Sequence, residues 1–222
     1  MRLHIIRHGD PDYAHDTLTQ SGRLEASALA VRLETLPIRR ILTSPYGRAR
    51  MTAQPLCERI GLAAETVEWA AELEALRAAS WASGEKIVVW NLPARQLRRR
   101  QATPAEDRRL WQVRNGLRSF LAEYGIQLRR SDAVCDRALP DDFDIALFCH
   151  HGAGLAVLSV LLDISVNDLW RTCWLAPSSV TTLLFEQQDQ QVNFRMTCMS
   201  DTSHLFGTPL SGNCSGLIYN QS

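Results

Sequence analysis

"LHIIRHGDPDY" (residues 3–13) runs two isoleucines directly into an arginine, a histidine and a glycine. Leu3, Ile5 and Ile6 make residues 3–8 a short strand-like run, and Gly9, Asp10 and Pro11 break it, so a strand is expected to end near His8. In an open parallel sheet, ligands bind outside the carboxyl ends of the strands. The junction at His8 is therefore a place for chemistry as well as an ordinary polar end to a strand.

The next segments set the kind of sheet. Across residues 21–36, Leu24, Ala28, Leu29, Leu33 and Leu36 recur at helical spacing, and Pro37 stops the pattern. "IRRILTS" (38–44) predicts a second strand. "PYGRARMTAQPLCERIGL" (45–62) predicts a loop and a helix from about Gly47 to Gly61, with Pro55 expected to bend or interrupt it. Strand, helix, strand, helix in this order calls for right-handed crossovers and a parallel sheet.

The middle of the chain is less regular. "ETVEWAAELEAL" (65–76) reads as a short strand and the start of a helix, and "EKIVVWNLP" (85–93) as strand-like sequence within an irregular insertion. Residues 103–125 predict a helix with Thr103 as N-cap, Pro104 first, Glu106 third and Gly125 at its end. "DIALFCHHG" (144–152) predicts a strand, residues 153–164 a helix buried on most sides, and residues 179–186 with 192–198 an edge hairpin. No internal repeat or linker divides the chain. The expected architecture is a three-layer α/β/α sandwich with a mostly parallel central sheet, one domain over residues 1–222.

Composition narrows the function classes. The chain has 222 residues, 45% of them hydrophobic, enough to bury a core without metals or disulfides. Its 24 basic groups balance 24 acidic ones, so whole-chain charge favours neither nucleic acid nor an acidic membrane. The run "RQLRRRQ" (95–101) has few aromatics near it and reads as a solvated face. The six cysteines form no CxxC pair, which suits free thiols in a reducing compartment. With no apolar stretch of about 18 residues and no signal-peptide pattern, the expectation is a cytoplasmic protein.

Three strand ends carry polar clusters: "RHG" (7–9), "TSPYGR" (43–48) and "HHG" (150–152). They bring Arg7, His8, Arg48, His150 and His151 to one edge of the expected sheet. Arginine forks and histidines without a matching acidic pair suit a tetrahedral anion such as phosphate. Each element alone has an ordinary structural reading; their conjunction at three strand ends carries the inference. His4 reads as a strand-packing residue and His15 as a loop residue. The Cys149-His150-His151 cluster reads as a poor chelate, since neighbours on a strand point to opposite faces.

At this point the chain resembles the histidine phosphatase superfamily, the phosphoglycerate mutase-like proteins. "RHG" (7–9) is similar to its opening motif and "LTQSG" (18–22) to its LTxxG helix entry. "TSPYGRARMTA" (43–53) resembles its SPLxRAxxTA segment and "CHHG" (149–152) its late HG motif. The resemblance implies that His8 is a nucleophile forming a phosphohistidine and that Arg7 and Arg48 hold the phosphoryl oxygens. It implies that His151, directly before Gly152, is a second histidine donating to the phosphoryl group, with no metal or organic cofactor. It also implies a carboxylic acid soon after the RAxxTA helix. Glu68, Glu72 and Glu74 are candidates, and alignment on Trp69 selects Glu72; helical periodicity would put Glu68 and Glu72 on one face.

Two departures shape the functional expectation. Mutases of this family continue as RHGxSxxN, whereas Pro11 and Ala14 occupy the Ser and Asn positions here. The resemblance therefore implies hydrolysis of a small phosphomonoester, with mutase chemistry or phospho-ligand binding as alternatives. Residues 75–140 are expected to form the lid but lack the family's WEG run, so substrate specificity does not transfer, and a homodimer stays open. "LAPSSVTTLLFE" (175–186) and "SDTSHL" (200–205) resemble late segments of a bacterial phosphatase-like subgroup. For His204 the expected role is packing or a dimer contact.

Overall fold

The computed structural model describes residues 1–73, 79–80, 86–87, 95, 104–129 and 132–210. Its centre is an eight-stranded sheet. The strands are β1 (Arg2–Arg7), β4 (Ile38–Thr43), β5 (Ala64–Thr66), β8 (Ile126–Leu128), β9 (Ala133–Cys135), β10 (Asp144–Cys149), β11 (Val180–Gln188) and β12 (Gln191–Asp201), in the order β5-β4-β10-β1-β11-β12-β9-β8. From β5 to β1 neighbouring strands are parallel; from β1 onward they are antiparallel. Two short pairs lie outside it, β2 (Pro11–Asp12) with β3 (Thr17–Leu18) and β6 (Ala79–Ser80) with β7 (Lys86–Ile87).

Strand alternation explains the layers. In β1, Leu3 and Ile5 join one core while Ile6 joins the other; in β10, Ile145, Leu147 and Cys149 part in the same way from Ala146 and Phe148. A strand covered on both faces needs near-continuous apolar residues, and within these runs the buried polar His4 and Asp144 are hydrogen-bonded to each other. Helices α1 (Gln20–Leu33) and α2 (Gly47–Ile60) cover the second core through Leu29, Leu33, Ala53 and Leu56. The first core is covered by α3 (Pro104–Ala122), α4 (His151–Leu162) and α5 (Val166–Thr172), through Val113, Leu117, Leu155, Leu158 and Leu169. The sandwich is the one the sequence led us to expect.

Several local expectations are corrected. The hairpin of β11 and β12 is interior rather than an edge, because β9 and β8 extend the sheet beyond it. Within the stretch 75–140, expected to stand over the site, residues 104–135 supply α3, β8 and β9 to the body of the fold, with Val113, Leu117, Phe120 and Leu121 in the core; most of 75–103 lies outside the described residues. Helix α2 continues through Pro55 and ends where Gly61 turns left-handed, at φ 69°. Residues 66–73 form no α-helix: a single 3₁₀ turn at Glu68–Ala70 gives way to extended backbone at Ala71, so helical periodicity does not relate Glu68 to Glu72. Glu74 and nearly all of "RQLRRRQ" lie outside the described residues.

Candidate active site

The parallel strands β1, β4 and β10 end together, and His8, Ser44 and His150 follow them directly. Backbone bonds lock these corners: His8 N–H donates to the Cys149 carbonyl (3.0 Å) and Ser44 N–H to the Phe148 carbonyl (2.9 Å). The loop after His8 is pressed against α1. A Cβ on Gly22 would lie 2.2 Å from the Asp10 carbonyl oxygen, so only glycine admits this approach. Thr52 on α2 ties the same corner, accepting from Gly9 N–H (3.0 Å) and donating to the Arg48 carbonyl (2.7 Å).

His8 is 1% exposed. Its Nδ1 lies 2.7 Å from the Gly9 carbonyl oxygen, which can only accept, so Nδ1 carries the proton and, in the neutral ring, Nε2 keeps the lone pair. His151 has the opposite arrangement. Leu175 N–H donates to its Nδ1 (3.3 Å), which puts the proton of the neutral ring on Nε2. Burial, reinforced by the Arg7 charge, pushes His151 down to about 3, so the ring is neutral at ordinary pH. One histidine thus offers a base nitrogen and the other an N–H donor.

The two arginines are deeply placed, Arg7 at 3% and Arg48 at 6% exposure. Arg7 Nη1 donates to the Leu175 carbonyl (2.6 Å), and its guanidinium lies 4.8 Å from the Trp174 ring centre. Burial draws Arg7 below its ordinary value, Tyr13 and Glu72 opposing it, and the guanidinium stays charged. Arg48 Nη1 pairs with Asp16 Oδ1 at 2.5 Å, and its guanidinium stacks near Tyr46 (4.7 Å) and Tyr13 (5.4 Å). The Nε of each arginine is buried without a hydrogen-bond partner among the described residues. Two buried, charged donors in that condition are costly unless an anion engages them.

Glu72 reaches this site. Its Oε1 accepts from Leu73 N–H (2.9 Å) and Ala153 N–H (3.2 Å), at the first turn of α4, where the helix dipole favours a carboxylate. Glu68 is exposed. The structure therefore gathers His8, Arg7, Arg48, His151 and Glu72 around one end of the sheet. Helix α4 begins at His151, two residues earlier than expected, so His150 is a corner residue rather than part of a strand alternation. His150 Nε2 is 2.7 Å from Ser44 Oγ, and its ring centre lies 5.2 Å from that of His8.

Sequence reasoning missed Tyr13, Asp16, Thr52, Trp174 and Leu175. Tyr13 faces His8 at 6.3 Å between ring centres as well as Arg48. Asp16 also accepts from Gly47 N–H (2.6 Å), at the start of α2. Trp174 and Leu175 hold two site residues at once: the indole lies 4.6 Å from the His151 ring, and the Leu175 peptide groups engage both Arg7 and His151. For Asp16, the signal was an acidic residue at the end of a short loop opposite an arginine-bearing helix start; for Leu175, whose contribution is backbone, the sequence carries none.

Residues 3–196 match the model of the histidine phosphatase superfamily (branch 1). No protein among the curated sequences matches the chain. Among solved structures it is similar to mycobacterial hydrolase 1, at 22% identity and TM-score 0.64, covering 90% of this chain and 98% of that one. A mycobacterial glucosyl-3-phosphoglycerate phosphatase in complex with VO3 gives 23% identity and TM-score 0.61, covering 89% and 97%. A phosphoserine phosphatase mutant from Entamoeba histolytica in complex with phosphoserine gives 18% identity and TM-score 0.62, covering 92% and 98%. At these identities the likeness is one of fold.

Proposed function

The chain belongs to the histidine phosphatase superfamily (branch 1), and from that premise we propose that it is a phosphatase hydrolysing a small phosphomonoester through phospho-His8. The observation that carries this reading is the pair of buried Nε–H donors on Arg7 and Arg48, beside two histidines of opposite tautomer. A phosphate dianion satisfies both guanidinium forks and accepts from His151 Nε2–H.

The chemistry then runs in two steps. His8 Nε2 attacks phosphorus, the bond to the ester oxygen breaks, and Glu72 protonates the leaving oxygen. Glu72 Oε1 is anchored by two backbone N–H groups, which leaves Oε2 for the proton transferred. In the second step Glu72 takes a proton from water as its oxygen attacks phosphorus. The P–N bond breaks, phosphate leaves and neutral His8 returns. Positioning and fixed charge supply most of the acceleration.

Pro11 and Ala14, at the positions where mutases of this family carry Ser and Asn, favour hydrolysis over phosphoryl transfer between carbons. The test is turnover of p-nitrophenyl phosphate in EDTA by the wild type and by His8→Ala, with rapid-quench trapping of an acid-labile phosphoenzyme. Release of phosphate by the wild type alone supports the reading. Turnover by His8→Ala, or turnover abolished by chelation, overturns it. With 3-phosphoglycerate, free phosphate rather than its isomer is the expected product.

A further inference from the structure

His204 has no part in the mechanism above, yet it stands two residues' contacts away from His8. It lies in a one-turn helix (Ser203–Leu205) after β12, and its Nε2 is 3.0 Å from Ser178 Oγ. Ser178 N–H in turn donates to the His8 carbonyl (3.0 Å), and the next residue accepts, through the Ser179 carbonyl, from Arg7 N–H (3.2 Å). The turn at 176–179 thus grips the backbone of both Arg7 and His8, and His204 grips the turn.

Ser178 has an unusual backbone. Its φ is +54°, in the left-handed region that favours glycine, and the residue is 0% exposed. A serine holds such a conformation only where surrounding bonds over-determine it. Here the serine hydroxyl is what a glycine would lack, and that hydroxyl meets His204. The tail carrying His204 is itself fastened. Arg32 on α1 pairs with Asp201 (2.5 Å), Asp201 accepts from Ser203 N–H (2.8 Å), and Leu205 is buried.

The pair is not a second hydrolytic centre. The serine is inaccessible, and among the described residues His204 Nδ1 is buried without the carboxylate partner that orients the base of a catalytic dyad. Burial, with Arg32 adding to it and Asp201 opposing, pushes His204 down to about 4, so the ring stays neutral at ordinary pH.

We propose that His204 is a positioning residue for the nucleophile: through the Ser178 hydroxyl it locks the left-handed turn whose N–H fixes the His8 carbonyl, and so the aim of the His8 ring. The inference rests on the phosphatase reading for its kinetic test. A misplacement of the nucleophile costs rate more than ground-state binding. His204→Ala is expected to lower kcat on p-nitrophenyl phosphate by about tenfold with KM changed less than about twofold. Ser178→Gly keeps the backbone conformation and N–H but removes the hydroxyl; it should reproduce the kcat loss, and the double variant should lose no more than either single one. His204→Gln, which restores a polar partner for the hydroxyl, should recover most of the rate.

Nitrogen NMR of the His8 ring supplies a readout independent of turnover. The Nδ1–H tautomer of the wild type should give way to a mixture in both single variants. Loss of thermal stability with kcat and the His8 signals unchanged overturns the proposal, as does a multiplicative double variant. If His204→Ala fails to fold, Ser178→Gly alone decides. If the wild type hydrolyses no phosphate ester, the phosphatase reading fails, and the His8 signals alone support or overturn the link.

Discussion

Gly152 and Glu72 meet at the first turn of α4: a Cβ built on Gly152 would lie 2.7 Å from Glu72 Oε1. The contact is with the tip of a flexible side chain, so Gly152→Ala can be accommodated by moving the carboxylate rather than the backbone. The expected result is a kcat at least about tenfold lower with a nearly unchanged melting temperature. Glu72→Gln should show the same pattern. Both losses should be larger for phenyl phosphate than for p-nitrophenyl phosphate, since the poorer leaving group depends more on protonation. Equal losses on the two substrates would remove Glu72 from the acid role.

Asp16 pairs with the arginine that the proposed reaction assigns to the phosphoryl group. Its carboxylate spans Arg48 Nη1 and the Gly47 N–H, and its side chain is 45% exposed. Replacing it by asparagine keeps a hydrogen-bonding group while removing a negative charge beside the anion site. Inorganic phosphate should inhibit Asp16→Asn about threefold more tightly than the wild type at low salt, with the difference shrinking in high salt. Weaker inhibition would mean that Asp16 chiefly holds Arg48 in place.

Two histidines are kept neutral by burial, His151 at about 3 and His204 at about 4. Both folded values lie below the ordinary 6.5. As pH falls below that value the unfolded chain takes up protons that the folded chain refuses, so stability falls with acidification. Denaturant midpoints measured from neutral pH downward should therefore decline, the histidine contribution beginning as pH falls through about 6.5. The carbon NMR signals of the His151 ring should not titrate above about pH 4. Titration near neutrality would refute the buried, neutral ring.

Asp144 makes the opposite end of β1 a structural site. Buried, it accepts from Arg2 Nε (2.8 Å) and His4 Nε2 (2.9 Å). Burial alone would raise its pKa, but the hydrogen bonds from His4 and Arg2 prevail and lower it. Its contribution is therefore present above the ordinary carboxylate range and lost as pH falls through the folded value. Asp144→Ala strands a buried histidine. With Arg2 half in solvent, the cost should be about 2–3 kcal/mol, read as a melting temperature lower by roughly 5–10 °C. Activity at low temperature should survive, because Asp144 and His8 sit at opposite ends of paired strands.

What could be read without coordinates is what depends on pattern. Buried strands need unbroken apolar runs, and helices need apolar residues every three to four positions; both survive in one dimension. So do the strand-end clusters, because a parallel sheet places successive strand ends on one edge by topology alone. This is why Arg7, His8, Arg48 and His151 were legible. Glu72 was singled out only through the family resemblance, aligned on Trp69, and the helix expected around it does not form.

The remainder is decided by tertiary approach. Asp16 meets Arg48 across 32 residues, and Leu175 joins Arg7 and His151 through backbone groups that every residue carries. Hydrogen-bond partners set the tautomers: for His151 the partner is the distant Leu175 N–H, whereas for His8 it is the neighbouring Gly9 carbonyl, brought against the ring by the fold of the corner. The sequence by itself determined which titratable groups gather at the sheet's edge. Tertiary approach sets how each group is held, because the atoms that engage Arg48, Arg7 and His151 come from Asp16 and Leu175, 24 to 168 residues away along the chain.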